Sequence, residues 1–147
     1  MKTFLILGAG TAGTMMAREM AHALDLNQWK VIVVDKEEQH YYQPGFLFIP
    51  FGYYKRDDVV KPIRSFVAKG VEYVVSDIEA LEPADNKVTL ANGRVIQYDY
   101  LVIATGVDIH PEETEGLKDG GWGENIFDFY TYNGAAALAP AISRFQG

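Results

Sequence analysis

The 147-residue chain contains no cysteine. Disulfides, thiolate nucleophiles and cysteine-held metal sites are thereby excluded from it, and the composition fits a reducing compartment. Cations are scarce too: 13 Lys and Arg against 20 Asp and Glu leave a formal net charge of −7. Nucleic acid requires clustered Lys and Arg to displace its counterions, so no nucleic-acid partner is expected. The same balance offers no general attraction to an anionic membrane surface. Long apolar runs are missing as well. No window approaches the ~18 apolar residues of a membrane span, and the apolar run after Lys2 meets glycine too soon for a secretory signal. A cytoplasmic protein, at most peripheral to a membrane, is expected. Internal repeats and low-complexity tracts are also absent. Hydrophobic residues make up 48% of the chain, enough for a packed core.

The N-terminal segment carries the most information. Lys2 to Leu7 is a short continuous apolar run, as suits a strand buried on both faces of a parallel sheet. From Thr11 to Leu24 the period becomes helical, with Met16, Ala17, Met20, Ala21 and Leu24 on one side and Arg18, Glu19 and His22 on the other. A second apolar run, Trp29 to Val34, ends in Asp35. Residues 2–35 thus read as a β-α-β unit, whose right-handed crossover makes the two strands parallel neighbours.

Between strand and helix lies Gly8-x-Gly10-x-x-Gly13. Alone the spacing is weak, but here it follows a strand and opens a helix. Gly8 permits the tight turn, Gly10 lets backbone approach a pyrophosphate, and Gly13 lets helix pack on sheet. The helix start at Thr11 and Ala12 presents unpaired N–H groups to an anion. Asp35, 22 residues after Gly13, can accept hydrogen bonds from ribose hydroxyls, and its charge disfavours a 2′-phosphate.

Downstream, Lys36 to Lys55 is aromatic and broken by Pro44, Gly45, Pro50 and Gly52, so an irregular loop is expected. Asp57 or Asp58 could cap a short helix running through Ile63, Phe66 and Val67 to Lys69-Gly70. Val71 to Val75 reads as a third parallel strand. Residues 78–98 carry three short β-like runs with Asn92-Gly93 as a hairpin turn, a β-meander. The strand at 99–106 ends in Ala104-Thr105-Gly106. Val107 to Asn125 reads as a loop, and a last helix is expected within 129–145, kinked or interrupted at Pro140. The fold class expected is α/β: a Rossmann-like parallel sheet with helices and an antiparallel β-meander, truncated. An NAD-binding dehydrogenase domain would continue with alternating helices and parallel strands, whereas the meander marks the flavin-type variant of the fold.

The glycine fingerprint, Asp35 and the sequence YDYLVIATG together resemble the FAD domain of the two-dinucleotide flavoprotein (pyridine nucleotide-disulfide) oxidoreductases. Within them, HYYQPGFLFIPFG at 40–52 is similar to the sulfide:quinone oxidoreductases and their flavocytochrome relatives, and then to type II NADH dehydrogenases. The resemblance implies FAD as cofactor. It places Gly8, Gly10, Thr11, Ala12 and Gly13 around the pyrophosphate, and Asp35 with Lys36 at the adenosine ribose. It places Asp77 and Ile78 beside the adenine, Ala104, Thr105 and Gly106 at the crevice, and Gln43 and Pro44 near the flavin end. The alternative for Tyr41–Pro50 is a hydrophobic cover over the sheet.

The resemblance also implies a parent enzyme passing electrons from sulfide or NAD(P)H to a quinone, with peripheral membrane contact. Redox cysteines would be sought after the ATG motif, yet Asp108 to Tyr132 holds none, and Phe127-Asp128 stands about where one would be. No residue here is assigned as general acid, base or nucleophile, and no metal site is expected. His22, His40 and His110 show no evident catalytic partner. The family is more than twice this length. Residues 1–128 therefore read as a partial FAD-binding domain and 129–147 as a helix leading toward an NAD-like domain. Two other readings stand beside this one: a non-catalytic nucleotide-binding or interaction module, and a fragment that cannot hold cofactor alone and self-associates through uncovered apolar residues.

Overall fold

The computed structural model describes residues 1–146, and the chain divides into two units. The first comprises Met1–His40 and Pro62–Gly106; the second comprises Tyr41–Lys61 and the chain from Val107 onward. In chain order the elements are β1 (Lys2–Leu7), α1 (Thr11–Ala23), β2 (Trp29–Asp35), β3 (Gln39–Tyr41), β4 (Val60–Pro62), β5 (Val71–Val75), β6 (Ile78–Glu82), β7 (Lys87–Leu90), β8 (Val95–Gln97), β9 (Tyr100–Ile103) and α2 (Tyr132–Arg144). The short strands β3 and β4 pair as a two-stranded ribbon where the chain leaves the first unit and returns to it.

In the first unit four parallel strands lie in the order β5-β2-β1-β9. The two central strands are apolar along almost their whole length because both of their faces are covered. Side chains alternate across a strand. Leu5, Leu7, Ile32 and Val34 therefore point to one face, where they pack with Val88, Leu90 and Ile96 of the meander. Ile6, Val31 and Val33 point to the other and pack with Ala17 of α1 and with Ile63. The continuous runs read from the sequence are thus two interleaved half-cores.

α1 lies against its face through Gly13, Thr14 and Ala17, while Met16, Met20 and Leu24 are half-buried along its flank. The helix stops before Asp25, whose carboxylate accepts the Asn27 backbone N–H at 3.0 Å and its side-chain amide at 2.9 Å, a turn that competes with further helix. The meander is a three-stranded antiparallel sheet, β6-β7-β8. Its second turn uses Gly93 at φ +82°, closed by Leu90 N–H to the Arg94 carbonyl at 2.9 Å. The chain then enters β9, where Asp99 N–H donates to the Thr3 carbonyl and Thr3 N–H to the Asp99 carboxylate.

The second unit contains a 3₁₀ helix, Gln43–Phe48, and α2. Phe46, Ile49, Val59 and Ala135 form its core, flanked by Tyr41, Val60 and Tyr132. Thr131 caps α2 by accepting the Gly134 N–H at 2.9 Å, and the Asp128 carboxylate in turn accepts the Tyr130 and Thr131 N–H groups.

Two expectations need correction. The helix read through Ile63, Phe66 and Val67 is absent. Arg56–Val59 and Ile63–Ser65 are single 3₁₀ turns with β4 between them. Pro62 lacks a donor and pushes Lys61 out of helical geometry, which outweighs the apolar spacing. Conversely, Pro140 does not interrupt α2, which runs from Tyr132 to Arg144.

Candidate nucleotide-binding crevice

Parallel strands in one order send all their carboxyl ends to one edge of the sheet. With β2 and β5 to one side of β1 and β9 to the other, the chain reverses direction across the sheet between β1 and β9. Crevices form outside the carboxyl ends at such a switch point. A cleft of ≈ 120 Å³ lies there, lined by Gly8, Val34, Asp35, Lys36, Ser76, Asp77, Ile78 and Thr105. A wider hollow of ≈ 360 Å³ lies among Met1, Lys2, Asn27, Gln28 and Trp29, at the amino ends of β1 and β2. It has neither a glycine loop nor a helix start, so size does not select it.

The three glycines have three different reasons to be glycine. Gly8 sits at φ +99°, and a β-carbon there would run into the Ala104 carbonyl. A β-carbon on Gly13 would run into the Gly8 carbonyl, so helix and loop touch backbone to backbone. Gly10 has ordinary dihedrals, φ −68° and ψ −164°, and nothing within 4 Å of where its β-carbon would be. No intramolecular contact calls for glycine at that position. The open space beside it lies at the first turn of α1, which has no side-chain cap and no acidic residue. Unpaired N–H groups beside open space fit an anion such as a pyrophosphate.

Asp35 closes β2. Its Oδ2 accepts the Ala9 N–H at 2.5 Å and its Oδ1 the Glu37 N–H at 2.9 Å. Its own carbonyl accepts the Ser76 N–H at 2.9 Å, carrying the strand ladder to the cleft rim. Behind it the Tyr73 hydroxyl donates to the Glu37 carbonyl. Burial, reinforced by the negative charges of Asp35 and Glu38, pushes the Tyr73 phenol above its ordinary value, so it remains a donor. The Arg64 guanidinium lies 5.5 Å from the Tyr73 ring centre. On the other wall, Ala104 N–H donates to the Leu7 carbonyl at 2.7 Å, locking the end of β9 to the end of β1.

Of the residues picked from the sequence, Gly8, Asp35, Lys36, Asp77, Ile78 and Thr105 line this single cleft. Ala104 packs behind Gly8, Gly10 to Gly13 head α1, and Gly106 follows Thr105, exposed, at φ +74°. Gln43 and Pro44 belong to the second unit, where they open the 3₁₀ helix and are exposed; their part in a cofactor site rests on the resemblance alone. Ser76 and Val34 were not singled out from sequence. The signal for Ser76 was its place between the third parallel strand and the meander. His110 has a neighbouring carboxylate: its Nδ1 lies 2.9 Å from Glu112, which raises the imidazole pKa above its ordinary value. The pair is exposed in the second unit, and among the described residues no group of three His, Cys, Asp or Glu could hold a metal ion. Among the same residues no helix is long and apolar enough to cross a membrane.

A parallel sheet with a glycine-cradled switch point and an antiparallel meander defines the FAD/NAD(P)-binding class of α/β fold. Residues 2–139 match the family described as pyridine nucleotide-disulphide oxidoreductase, and the chain belongs to that family. It is 30% identical over 129 residues to the mitochondrial sulfide:quinone oxidoreductase of Dictyostelium discoideum, covering 88% of this chain and 28% of that one. It is 28% identical over 119 residues to a type II NADH:quinone oxidoreductase of Staphylococcus aureus, covering 80% of this chain and 29% of the relative. The crystal structure of the sulfide:quinone oxidoreductase from Aquifex aeolicus superposes with a TM-score of 0.80 at 24% identity, over 97% of this chain and 32% of that one, a likeness of fold. The chain thus spans less than a third of each.

Proposed function

We propose that this chain supplies part of the FAD site of a flavin-dependent oxidoreductase that delivers electrons to a quinone. The observation that carries the reading is the Gly10 position: space with no internal claimant, beside the uncapped start of α1, at the switch point of the sheet. Support for the acceptor comes from relatives named for quinone reduction in both branches, sulfide:quinone and NADH:quinone. FAD, when bound, supplies two-electron redox chemistry at its isoalloxazine ring, and the protein supplies binding, orientation and electrostatics.

In this reading the N–H groups of Thr11, Ala12 and Gly13 hold the pyrophosphate. Asp35 and Lys36 hold the adenosine ribose, and Asp77 and Ile78 border the adenine. Ala104 to Gly106 close the crevice. The chain's contribution is to bind and orient; it offers no thiolate for sulfur chemistry, so such a group would come from outside this sequence. Residues 1–128 would form the partial FAD-binding domain and 129–147 the passage to an NAD-like one. A quinone acceptor would place the whole protein at a membrane surface.

The test is direct. The purified chain, incubated with FAD and passed over a desalting column, is expected to carry flavin absorbance or to quench flavin fluorescence on titration. The reading fails if neither FAD nor ADP binds at millimolar concentration while the chain is folded.

A further inference from the structure

Asp35 is read above as a ribose partner, but its carboxylate is already engaged by the protein. The Ala9 residue is fully buried, so its N–H cannot turn to water for a partner. It donates instead to Asp35 Oδ2 at 2.5 Å, across 26 residues of sequence, while Oδ1 takes the Glu37 N–H. Ala9 stands between Gly8 and Gly10, the two residues least able to fix their own conformation. The end of β2 therefore holds this loop at two successive amides: Gly8 N–H on the Val34 carbonyl at 2.7 Å, and Ala9 N–H on Asp35. The second is a charge-assisted bond in a part-buried setting, the stronger kind.

We infer that Asp35 is a positioning residue for the glycine loop: by holding the Ala9 amide it presets the backbone against which a nucleotide pyrophosphate lies. The inference rests on the proposed nucleotide site and changes where the acid acts. A carboxylate serving only the ribose influences only ligands with ribose hydroxyls. A carboxylate that shapes the loop influences any ligand with a pyrophosphate, whether or not its ribose carries hydroxyls.

The two are separable with ADP and 2′,3′-dideoxy-ADP on wild-type chain and Asp35→Asn, by calorimetry, alongside amide NMR of the ligand-free protein. Asn is neutral and offers a single acceptor oxygen, so even if it keeps the buried Ala9 N–H and leaves the exposed Glu37 N–H to water, the Ala9 bond loses its charge assistance and weakens. The expected result is faster exchange and an upfield shift of the Ala9 amide, with affinity for both nucleotides falling by about tenfold or more. An unchanged Ala9 amide overturns the inference. So does a loss confined to ADP, which leaves the nucleotide site standing and Asp35 a ribose contact only. If the wild-type chain binds neither nucleotide, the proposed function fails and the inference with it. Asp35→Glu keeps the charge one methylene away and serves if the Asn variant does not fold; a displaced Ala9 amide with both affinities reduced alike supports the inference, and native affinities overturn it.

Discussion

Replacing Gly13 by alanine isolates the contact on which the crevice depends. An alanine β-carbon would overlap the carbonyl of Gly8, which is backbone on both sides and cannot be relieved by a rotamer change. Overpacking of a tight contact costs about 1–3 kcal/mol, and here the upper end applies because the helix start or the loop must move bodily. Alanine is better than glycine inside a helix by about 1 kcal/mol, which offsets part of the cost. The net expectation is a loss of about 2 kcal/mol, or roughly 6 °C in melting temperature for a chain this long. Gly10→Ser is the matched control. Nothing of the protein lies within 4 Å of the new β-carbon, and serine is a better N-cap, so stability should hold or rise by a few tenths of a kcal/mol. Its side chain would stand in the space assigned to pyrophosphate, so ADP affinity should fall about tenfold or more, by loss of N–H partners and close approach. Urea unfolding followed by circular dichroism, with calorimetry for ADP, reads both effects. An unfolding midpoint in Gly13→Ala equal to wild type would refute the backbone-contact argument, and undiminished ADP affinity in Gly10→Ser would refute the placement of the anion.

The Leu5 side chain is fully buried between sheet and meander, so Leu5→Ala should cost about 2–5 kcal/mol in the same unfolding assay. Glu72 accepts from Arg94 at 2.6 Å and lies 2.7 Å from Lys30 Nζ; the hydrogen bond to Arg94 leads in holding its carboxyl below the ordinary value of 4.5. A lowered pKa means stability fully present above pH 4.5 and lost as pH falls through the folded-state value. Glu72→Gln should therefore flatten that part of the acid-stability curve by no more than about 1 kcal/mol, since the side chain is a third exposed. Thr131→Ala removes the α2 cap and should cost about 1 kcal/mol, read as lost helicity and a lower urea midpoint, while Thr131→Asn should restore most of it.

Much of the first unit was legible because its signals are local. The apolar run of β1, the helical period of α1, the run of β2 and the Asn92-Gly93 turn each lie within a few residues, and each element stands where its pattern put it. The misread segment, 57–69, had a helical spacing of apolar residues with Pro62 inside it, and the missing donor prevailed. At Pro140 the same residue type did not prevail: Thr131 and Asp128 secure the start of α2, and Ala135 packs in a buried cluster.

By itself the sequence determined that this is an α/β dinucleotide-type chain with a glycine loop, an acid closing the second strand, and no thiol to do sulfur chemistry. Those properties follow from residue identity and short spacing, which need no partner elsewhere in the chain. Only the tertiary structure decided which atoms each glycine meets: Gly8 meets Ala104 and Gly13 meets Gly8, while Gly10 meets nothing. It also decided that the Asp35 carboxylate spends a lone pair on Ala9. The Gly8–Ala104 and Ala9–Asp35 contacts are set by the strand order β5-β2-β1-β9, which brings residues 26 or nearly 100 positions apart within reach, and no local pattern encodes them.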